Sequence, residues 1–223
     1  MAGKRAPAAR SAVGSPRLPG RPVAASPELR PHLLDAALAC YARGGIAATS
    51  LRAIAREAGV TPALLHYYFG SGDRLLEAVV EERIAPAIEG LRAALPLDGN
   101  DVAALVAGFV RGIGAIVARH PWLPALWVRE VLCDGGALRD FLRQRIGPQI
   151  PALLAQRFAE AQRRGALNPD LDPRLLVVSL VGLTLFPAAS APVWRGLFGA
   201  DDIDAGVLRA HTIALLDRGL RLV

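Results

Sequence analysis

Cysteine is scarce in this chain of 223 residues, which has two, Cys40 and Cys133. They lie far apart in apolar helical contexts, so we interpret them as small buried side chains in a reducing compartment rather than as a disulfide or a redox switch. No CxxC pair and no Cys/His cluster has the spacing of a metal site. The sequence therefore predicts neither a metal nor a cofactor.

Sequence signatures of catalysis are also missing. The chain has no Ser-His-Asp set and no glycine-rich loop of the kind that cradles phosphate. Its histidines fall on separate segments without a carboxylate at a useful spacing: His32, His66, His120 and His211. We therefore expect a protein that is not an enzyme.

Alternation of polar and apolar residues, the pattern of a half-buried strand, does not extend over any useful length. Apolar residues instead recur at helical spacing between breaks that carry proline or glycine. The chain is long enough to bury a core, and its basic N-terminus lacks the apolar stretch of a secretory signal. These features predict an all-α protein of the cytoplasm.

The most informative stretch, Thr49 to Leu75, has the pattern of a helix–turn–helix. Its first helix follows Ser50, a ready N-cap. Four apolar residues share one face of that helix at helical spacing: Leu51, Ile54, Ala55 and Ala58. Gly59 permits a sharp turn, Thr61 caps the second helix, and Pro62 occupies its first position, where a missing N–H costs nothing.

This stretch resembles the TetR family of bacterial repressors over roughly residues 30 to 80. The residues that carry the resemblance are Gly45, Thr49, Ser50, Leu51, Ile54, Ala55, Ala58, Gly59, Val60, Thr61, Ala63, Leu65, Tyr68, Phe69, Ser71 and Leu75. The family usually has tyrosine where this chain has His66 and lysine where it has Gly72, so one phosphate contact is weakened unless Arg74 reaches the same place. The resemblance implies an N-terminal three-helix DNA-binding domain followed by a C-terminal helical ligand-binding and dimerisation domain.

A helix–turn–helix places its second helix in the major groove of DNA. We expect Thr61, Pro62, Ala63 and Tyr67 at base edges, where direct readout would be largely apolar because proline and alanine offer no hydrogen-bonding side chain. The expected phosphate contacts, which position the protein without specifying sequence, are Ser50, Arg52, His66, Tyr68 and Arg74. For Tyr68, packing in the core is an equal alternative.

The net charge of +6 is concentrated near the N-terminus. Residues 1–27 carry +5 and residues 28–76 carry +1, while the remainder balances sixteen arginines against sixteen acids, which favours a polyanionic partner at one end. We predict a disordered basic tail over 1–26, a helix–turn–helix domain over 27–72 and a ligand-binding and dimerisation domain over 73–223. The tail either follows the DNA as a basic arm or is a leader with only general electrostatic attraction.

The run from Leu175 to Trp194 contains no charged residue and by length alone could span a bilayer. Its serine, threonine, glycine and proline residues, and the lack of a second such segment, favour burial in a homodimer core and not in a membrane. In the family, the last two long helices usually form a four-helix bundle with the partner's copies. The expected interface residues are Val178, Val181, Gly182, Leu185, Leu208, His211 and Leu215.

The remaining helices would enclose a pocket, and the resemblance implies a small-molecule inducer that tilts the long helix predicted over 73–94. Candidate lining residues are Phe109, Ile113, Trp122, Trp127, Arg129, Val131, Phe141, Phe158 and Phe186. Plain core packing is the alternative for most of them, and a surface ion pair is the alternative for Arg129 with Glu130.

Together these features predict a ligand-responsive DNA-binding regulator, most often a repressor in this family. As a homodimer it would bind double-stranded DNA at a palindromic operator whose half-sites lie about 34–36 Å apart, or a multiple of that, and a small-molecule effector would release it. The competing hypothesis is a helical ligand-binding or scaffold protein that has lost specific DNA binding, given His66 and Gly72.

Overall fold

A computed structural model of the chain describes residues 28–97, 99–146 and 149–220, and within them every regular element is helical. The predicted tail over 1–26 lies outside the described residues. In chain order the α-helices are α1 (Leu29–Gly44), α2 (Leu51–Glu57), α3 (Pro62–Phe69), α4 (Gly72–Val79), α5 (Ala85–Ala94), α6 (Val102–Arg119), α7 (Leu123–Trp127), α8 (Arg139–Phe141), α9 (Gln149–Arg163), α10 (Pro173–Ala189), α11 (Ala191–Phe198) and α12 (Ala205–Leu220). π-Helical turns extend three of them, at Val80–Ile84, Val128–Leu132 and Leu142–Ile146. The predicted all-α fold class is confirmed.

Helices α1, α2 and α3 form the N-terminal three-helix unit, here called the head. Ser50 adopts an extended conformation and its Oγ accepts the backbone N–H of Ala53 at 3.2 Å, which begins α2 as the sequence predicts. Gly59 has a φ of +67°, a left-handed conformation that lets the chain turn sharply into α3. The head therefore has the helix–turn–helix geometry expected from its punctuating residues.

The long helix predicted over residues 73–94 is present but is not uniform. It runs as α4, the π-helical turn Val80–Ile84 and α5, and Pro86 stands in the first turn of α5. Proline cannot donate a backbone N–H, and its ring crowds the carbonyl four residues earlier, so a wider turn just before it relieves both problems. The irregularity at Pro86 is therefore an inserted π-turn within one connecting helix.

Helix α6 forms the centre of the C-terminal helical region. It contacts α5, α9, α10 and α12, and its buried face includes Leu105, Phe109 and Ile113. Of the helices in the described ranges, α6 is the one that by itself is long and apolar enough to cross a membrane, with a mean hydropathy of 1.7. Its packing on several sides identifies it as a core helix.

The uncharged run from Leu175 to Trp194 is broken in the structure. Helix α10 ends at Ala189 and α11 starts at Ala191, with a bend of 68° between them. The sequence pattern did not predict α11 as a separate helix, because Ser190 and Pro192 lie inside an otherwise continuous apolar stretch. Pro192 has an N1 or N2 position in α11, where proline favours the start of a new helix.

Two hydrophobic clusters hold the described residues together. The first joins the head to α4 and reaches into the second half of the chain through Leu126 and Leu138. The second surrounds α6 and includes Phe109, Phe158 and Leu180. The head is thus packed against the helical region by a shared core as well as by the chain connection through α4.

Candidate DNA-binding surface and effector cavity

Helix α3, the predicted recognition helix, presents one face to solvent and buries the other. Leu65 and Phe69 point into the head, and Tyr67 is 78 % exposed. Pro62 and His66, like Ala63 and Tyr67, lie four residues apart, and the exposed N-cap Thr61 stands at the start of this face. The structure therefore brings the predicted base-contacting residues together on one exposed surface.

Polar side chains at the helix starts surround this face. Thr61 is the N-cap residue of α3, yet its side chain makes no capping hydrogen bond, so the hydroxyl can bind elsewhere. Ser50 and Ser71 use Oγ as an acceptor for the N–H groups of Ala53 and Arg74, and each hydroxyl proton is still available to a phosphate oxygen. Arg52 and Arg74 are exposed. These positions suit the phosphate contacts that the sequence predicts.

His66 has a specific tautomer in this structure. Its Nδ1 lies 2.8 Å from the carbonyl oxygen of Gly70, and because that oxygen can only accept, Nδ1 must carry the proton. A neutral ring then offers Nε2 as a hydrogen-bond acceptor, which cannot bind a phosphate oxygen.

Tyr68 differs from its neighbours because it is half-buried against the head core. Its ring meets Tyr67 edge to face and lies near Phe69. Its hydroxyl oxygen is buried and has no hydrogen-bond partner among the described residues. The structure thus places the Tyr68 ring in the core, and a DNA contact by its hydroxyl would need a change of side-chain orientation.

We expect Tyr68→Phe to leave the free energy of unfolding unchanged or to raise it by about 1 kcal/mol, because a buried unsatisfied hydroxyl costs free energy. Urea unfolding of the variant beside the wild type measures this. Operator affinity should stay within about twofold of wild type. A loss of tenfold or more with intact stability would show instead that the hydroxyl contacts DNA.

Ion pairs brace the head around the recognition helix. Arg43 at the end of α1 forms a two-pronged pair with Glu57 at the end of α2, with N–O distances of 2.6 and 3.1 Å. The hydrogen bond from Arg43 holds the pKa of Glu57 below its ordinary value. Arg83 pairs with Asp35, joining α1 to the π-helical turn after α4. These contacts fix α2 and the connecting helix against α1.

An apolar cavity of about 140 Å³ lies among α5, α6, α7, α9 and α10. Three of the predicted lining residues, Phe109, Ile113 and Trp127, do line it. The other lining residues are Ile88, Leu91, Ile116, Leu123, Leu142, Ile150, Pro151, Leu154, Val177, Val181 and Leu185. The missed positions are mostly ordinary aliphatic residues, and nothing in the sequence separates an aliphatic residue beside a cavity from one in a filled core.

The remaining predicted lining residues lie elsewhere. Phe158 is fully buried in the hydrophobic cluster around α6. Val131 and Phe141 line a smaller neighbouring cavity of about 20 Å³. Trp122 contributes to a groove beside α1, and Phe186 is 66 % exposed.

A wider pocket of about 490 Å³ adjoins the apolar cavity and shares Ile88 and Ile150 with it. Its other lining residues are the charged and polar Glu81, Glu89, Arg92 and Gln149 together with Ala85 and Phe141. A molecule bound across both spaces would therefore have an apolar part and a polar part.

Arg129, another predicted lining residue, points away from the cavity toward the head. Its guanidinium donates to the backbone carbonyl oxygens of Ala42 and Arg43 at the end of α1. Glu130, its neighbour, accepts the N–H of Ile46. Arg129 and Glu130 therefore both connect the helical region to the head.

The C-terminal helices expose an apolar face. Val178, Gly182 and Phe186 lie along one side of α10, and Val178 is 65 % exposed. On α12, Val207, His211 and Leu215 are exposed and Leu208 is half-buried. Of the predicted interface residues, Val181 and Leu185 turn inward and line the cavity instead.

Comparison with known protein families identifies the region that contains the head. Residues 33–79 match the model of the bacterial regulatory proteins of the tetR family. The chain is 25 % identical over 166 residues to the HTH-type transcriptional regulator UidR of Escherichia coli K12, covering 70 % of this chain and 77 % of UidR. It is 40 % identical over 73 residues to the HTH-type transcriptional regulator BetI of Rhizobium meliloti, covering 33 % of this chain and 36 % of BetI.

Solved structures share the fold over most of the chain. The ketosteroid transcriptional regulator KstR2 of Mycobacterium tuberculosis matches with a TM-score of 0.69 and 18 % identity, covering 91 % of this chain and all of KstR2. FadR of Bacillus subtilis, solved in complex with stearoyl-CoA, matches with a TM-score of 0.62 and 20 % identity over 84 % of this chain and 97 % of FadR. The family match and the sequence relatives are transcriptional regulators and not enzymes, as the sequence predicts.

Proposed function

We propose that this chain, which matches the tetR family model over residues 33–79 and is 25 % identical to UidR, is a TetR-family repressor that binds a palindromic operator as a homodimer and is released by a small-molecule effector. A protein with this role works beside the chromosome, so we place it in the cytoplasm. The observation that carries the proposal is the exposed face of α3 on a braced head. The helical region that packs against this head contains an apolar cavity.

The exposed face of α10 and α12 supports the homodimer. Val178, Phe186 and Leu215 are each more than half exposed, although they lie on apolar helices. Large apolar side chains clustered on one side of a soluble protein favour an interaction surface. A twofold axis through this face would hold two heads at a fixed separation, which a palindromic operator requires.

The cavity supports an effector with an apolar part. Its wall is made of aliphatic and aromatic side chains, and a space of this kind, close in size to one that binds benzene, favours an apolar guest. The adjoining polar pocket leaves room for a polar group of the same molecule. The fold neighbour FadR was solved with stearoyl-CoA, a ligand that combines a hydrocarbon chain with a polar group.

The connecting helix links the cavity to the DNA-binding surface. Ile88 and Leu91 on α5 line the cavity, and Ser71 and Arg74 stand at the start of α4 beside the recognition face. An effector changes DNA affinity only if it binds the free and DNA-bound conformations with different affinities. A ligand that wedges α5 outward would favour the free conformation, because it would turn α4 and the attached head.

Selection from randomised DNA tests the proposed function. The purified protein should enrich a palindrome with half-sites one helical repeat apart, bind it with strong salt dependence and sediment as a dimer. Enrichment of no palindrome, with binding that is independent of sequence, would favour the scaffold hypothesis.

We expect n-alkanols of increasing chain length to bind the cavity and change the fluorescence of Trp127, because longer chains bury more apolar surface. Affinity should rise with each added methylene until the cavity and its mouth are filled. Trp127→Phe should abolish most of the signal, and the matched variant Trp194→Phe, outside the cavity wall, should retain it. An equal response from both variants would place the binding site elsewhere.

A further inference from the structure

Glu130 is a charged residue in a buried position. Glu130 belongs to the π-helical turn Val128–Leu132 and is 4 % exposed. Among the Asp, Glu, Lys and Arg residues whose side chains the structure describes, it is the one that is buried. Burying a carboxylate is costly unless its oxygens are hydrogen-bonded. The partners of Glu130 therefore indicate what the residue holds in place.

The two carboxylate oxygens bind different parts of the protein. Oε1 accepts the backbone N–H of Ile46 at 2.9 Å, in the turn between α1 and α2 of the head. Oε2 accepts the backbone N–H of Ala137 at 3.1 Å, in the loop that follows its own helix. One side chain thus ties the head to the C-terminal helical region.

Arg129 holds the same turn from the other side. Its Nη1 lies 2.6 Å from the carbonyl oxygen of Arg43 and 3.3 Å from that of Ala42, at the C-terminal end of α1. A cation is favourable at that end because the unpaired carbonyls carry partial negative charge. Together Arg129 and Glu130 clasp the last turn of α1 and the first residues after it.

Gly45 shows how closely the clasp fits. Its φ is +86°, and a Cβ on it would lie 3.1 Å from Cδ of Arg129 and 3.2 Å from Oε1 of Glu130. Backbone conformation and space both favour glycine here. The head is seated against Arg129 and Glu130 without a gap.

We propose that Arg129 and Glu130 are positioning residues that fix the head relative to the dimer axis and so set the half-site spacing the protein accepts. This inference rests on the proposed dimeric, palindrome-binding function. The recognition helix α3 follows α2 within the braced head, so holding the α1–α2 turn holds α3 as well. Without the clasp, the head keeps its apolar packing on Leu126 and Leu138 and its connection through α4, but it can rock about them.

Operators of altered spacing test the inference. The full-length protein is assayed on its selected palindrome and on versions with one base pair inserted or removed at the centre. For the wild type, either change should lower affinity by about tenfold or more, because one head must then leave its groove or the protein must strain. For Arg129→Ala and Glu130→Gln, the penalty should shrink to about threefold or less, with the same half-site sequence preferred.

Arg139→Ala is the matched control. Arg139 lies in the same region and its guanidinium also caps backbone carbonyls, those of Val131, Leu132 and Cys133, but these do not belong to the head. Its spacing penalty should equal that of the wild type. Hydrogen exchange at the Ile46 amide should accelerate in Glu130→Gln and not in Arg139→Ala.

The outcomes separate the two ideas. A variant that is merely destabilised loses affinity for all three operators by the same factor, so its spacing penalty equals that of the wild type. That result in both Arg129→Ala and Glu130→Gln overturns the inference but leaves the proposed function standing. Failure of the wild type to bind any palindrome overturns the proposed function and the inference with it. Arg129 is exposed, so Arg129→Ala keeps the test decisive if Glu130→Gln does not fold.

Discussion

Val178→Glu should convert the proposed homodimer into monomers and lower operator affinity by at least about a hundredfold, because two linked heads bind a palindrome far more tightly than one. Val178 lies in the middle of the exposed face of α10, next to Gly182 one turn along. Self-association across a twofold axis would bring two introduced carboxylates close together in an apolar interface. Neither could be paired there, and burying an unpaired charge costs about 3–5 kcal/mol.

Sedimentation at micromolar concentration and operator titration measure the two effects. Leu132→Glu is the matched control: Leu132 is 60 % exposed, comparable with Val178, but it lies on the turn after α7 and not on the C-terminal helices. This control should stay dimeric and bind as the wild type does. A dimeric Val178→Glu protein with unchanged affinity would place the dimer interface elsewhere and remove the basis for the spacing argument.

Local signals in the sequence predicted the head well. Ser50 caps a helix, Gly59 adopts a positive φ, and Pro62 has a φ fixed by its ring. Each effect reaches only a few residues along the chain, so it can be derived without the tertiary structure. The same is true of the exposed face of α3, whose spacing alone separates Thr61 and Tyr67 from Leu65. Short-range chemistry determines these features.

Features that depend on long-range packing were harder to predict. Arg129 was expected at a pocket because it stands in an apolar helix, but its partner is the end of α1, 86 residues earlier. Val181 and Leu185 were expected at the dimer face, but they lie on the side of α10 that lines the cavity. Val178 and Gly182 lie on its exposed side. An apolar run marks a helix as buried without saying which side faces which neighbour.

Gly136 is where the clasp and the core are most vulnerable to a single methyl group. A Cβ at this position would lie 2.3 Å from the carbonyl oxygen of Glu130 and 2.5 Å from its carbonyl carbon. Both are backbone atoms, so no side-chain rotation can relieve the clash. The neighbouring residues are also fixed, because Ala137 donates to the Glu130 carboxylate and Leu138 donates to the Glu130 carbonyl.

Gly136→Ala should therefore lower the free energy of unfolding by about 2–3 kcal/mol, as expected for forcing an extra carbon into a packed site. The displaced loop would also pull Leu138 from the head cluster and lengthen the Ala137 bond to Glu130, so the variant should tolerate altered operator spacing as the clasp variants do. Urea unfolding and the three-operator assay measure these effects.

Gly90→Ala in α5 is the control: its Cβ would meet nothing within 4 Å, and replacing glycine inside a helix should stabilise the protein by about 0.5–1 kcal/mol. If Gly136→Ala were as stable as Gly90→Ala, the turn over Glu130 would be free to move, and it could not hold the carboxylate against the head.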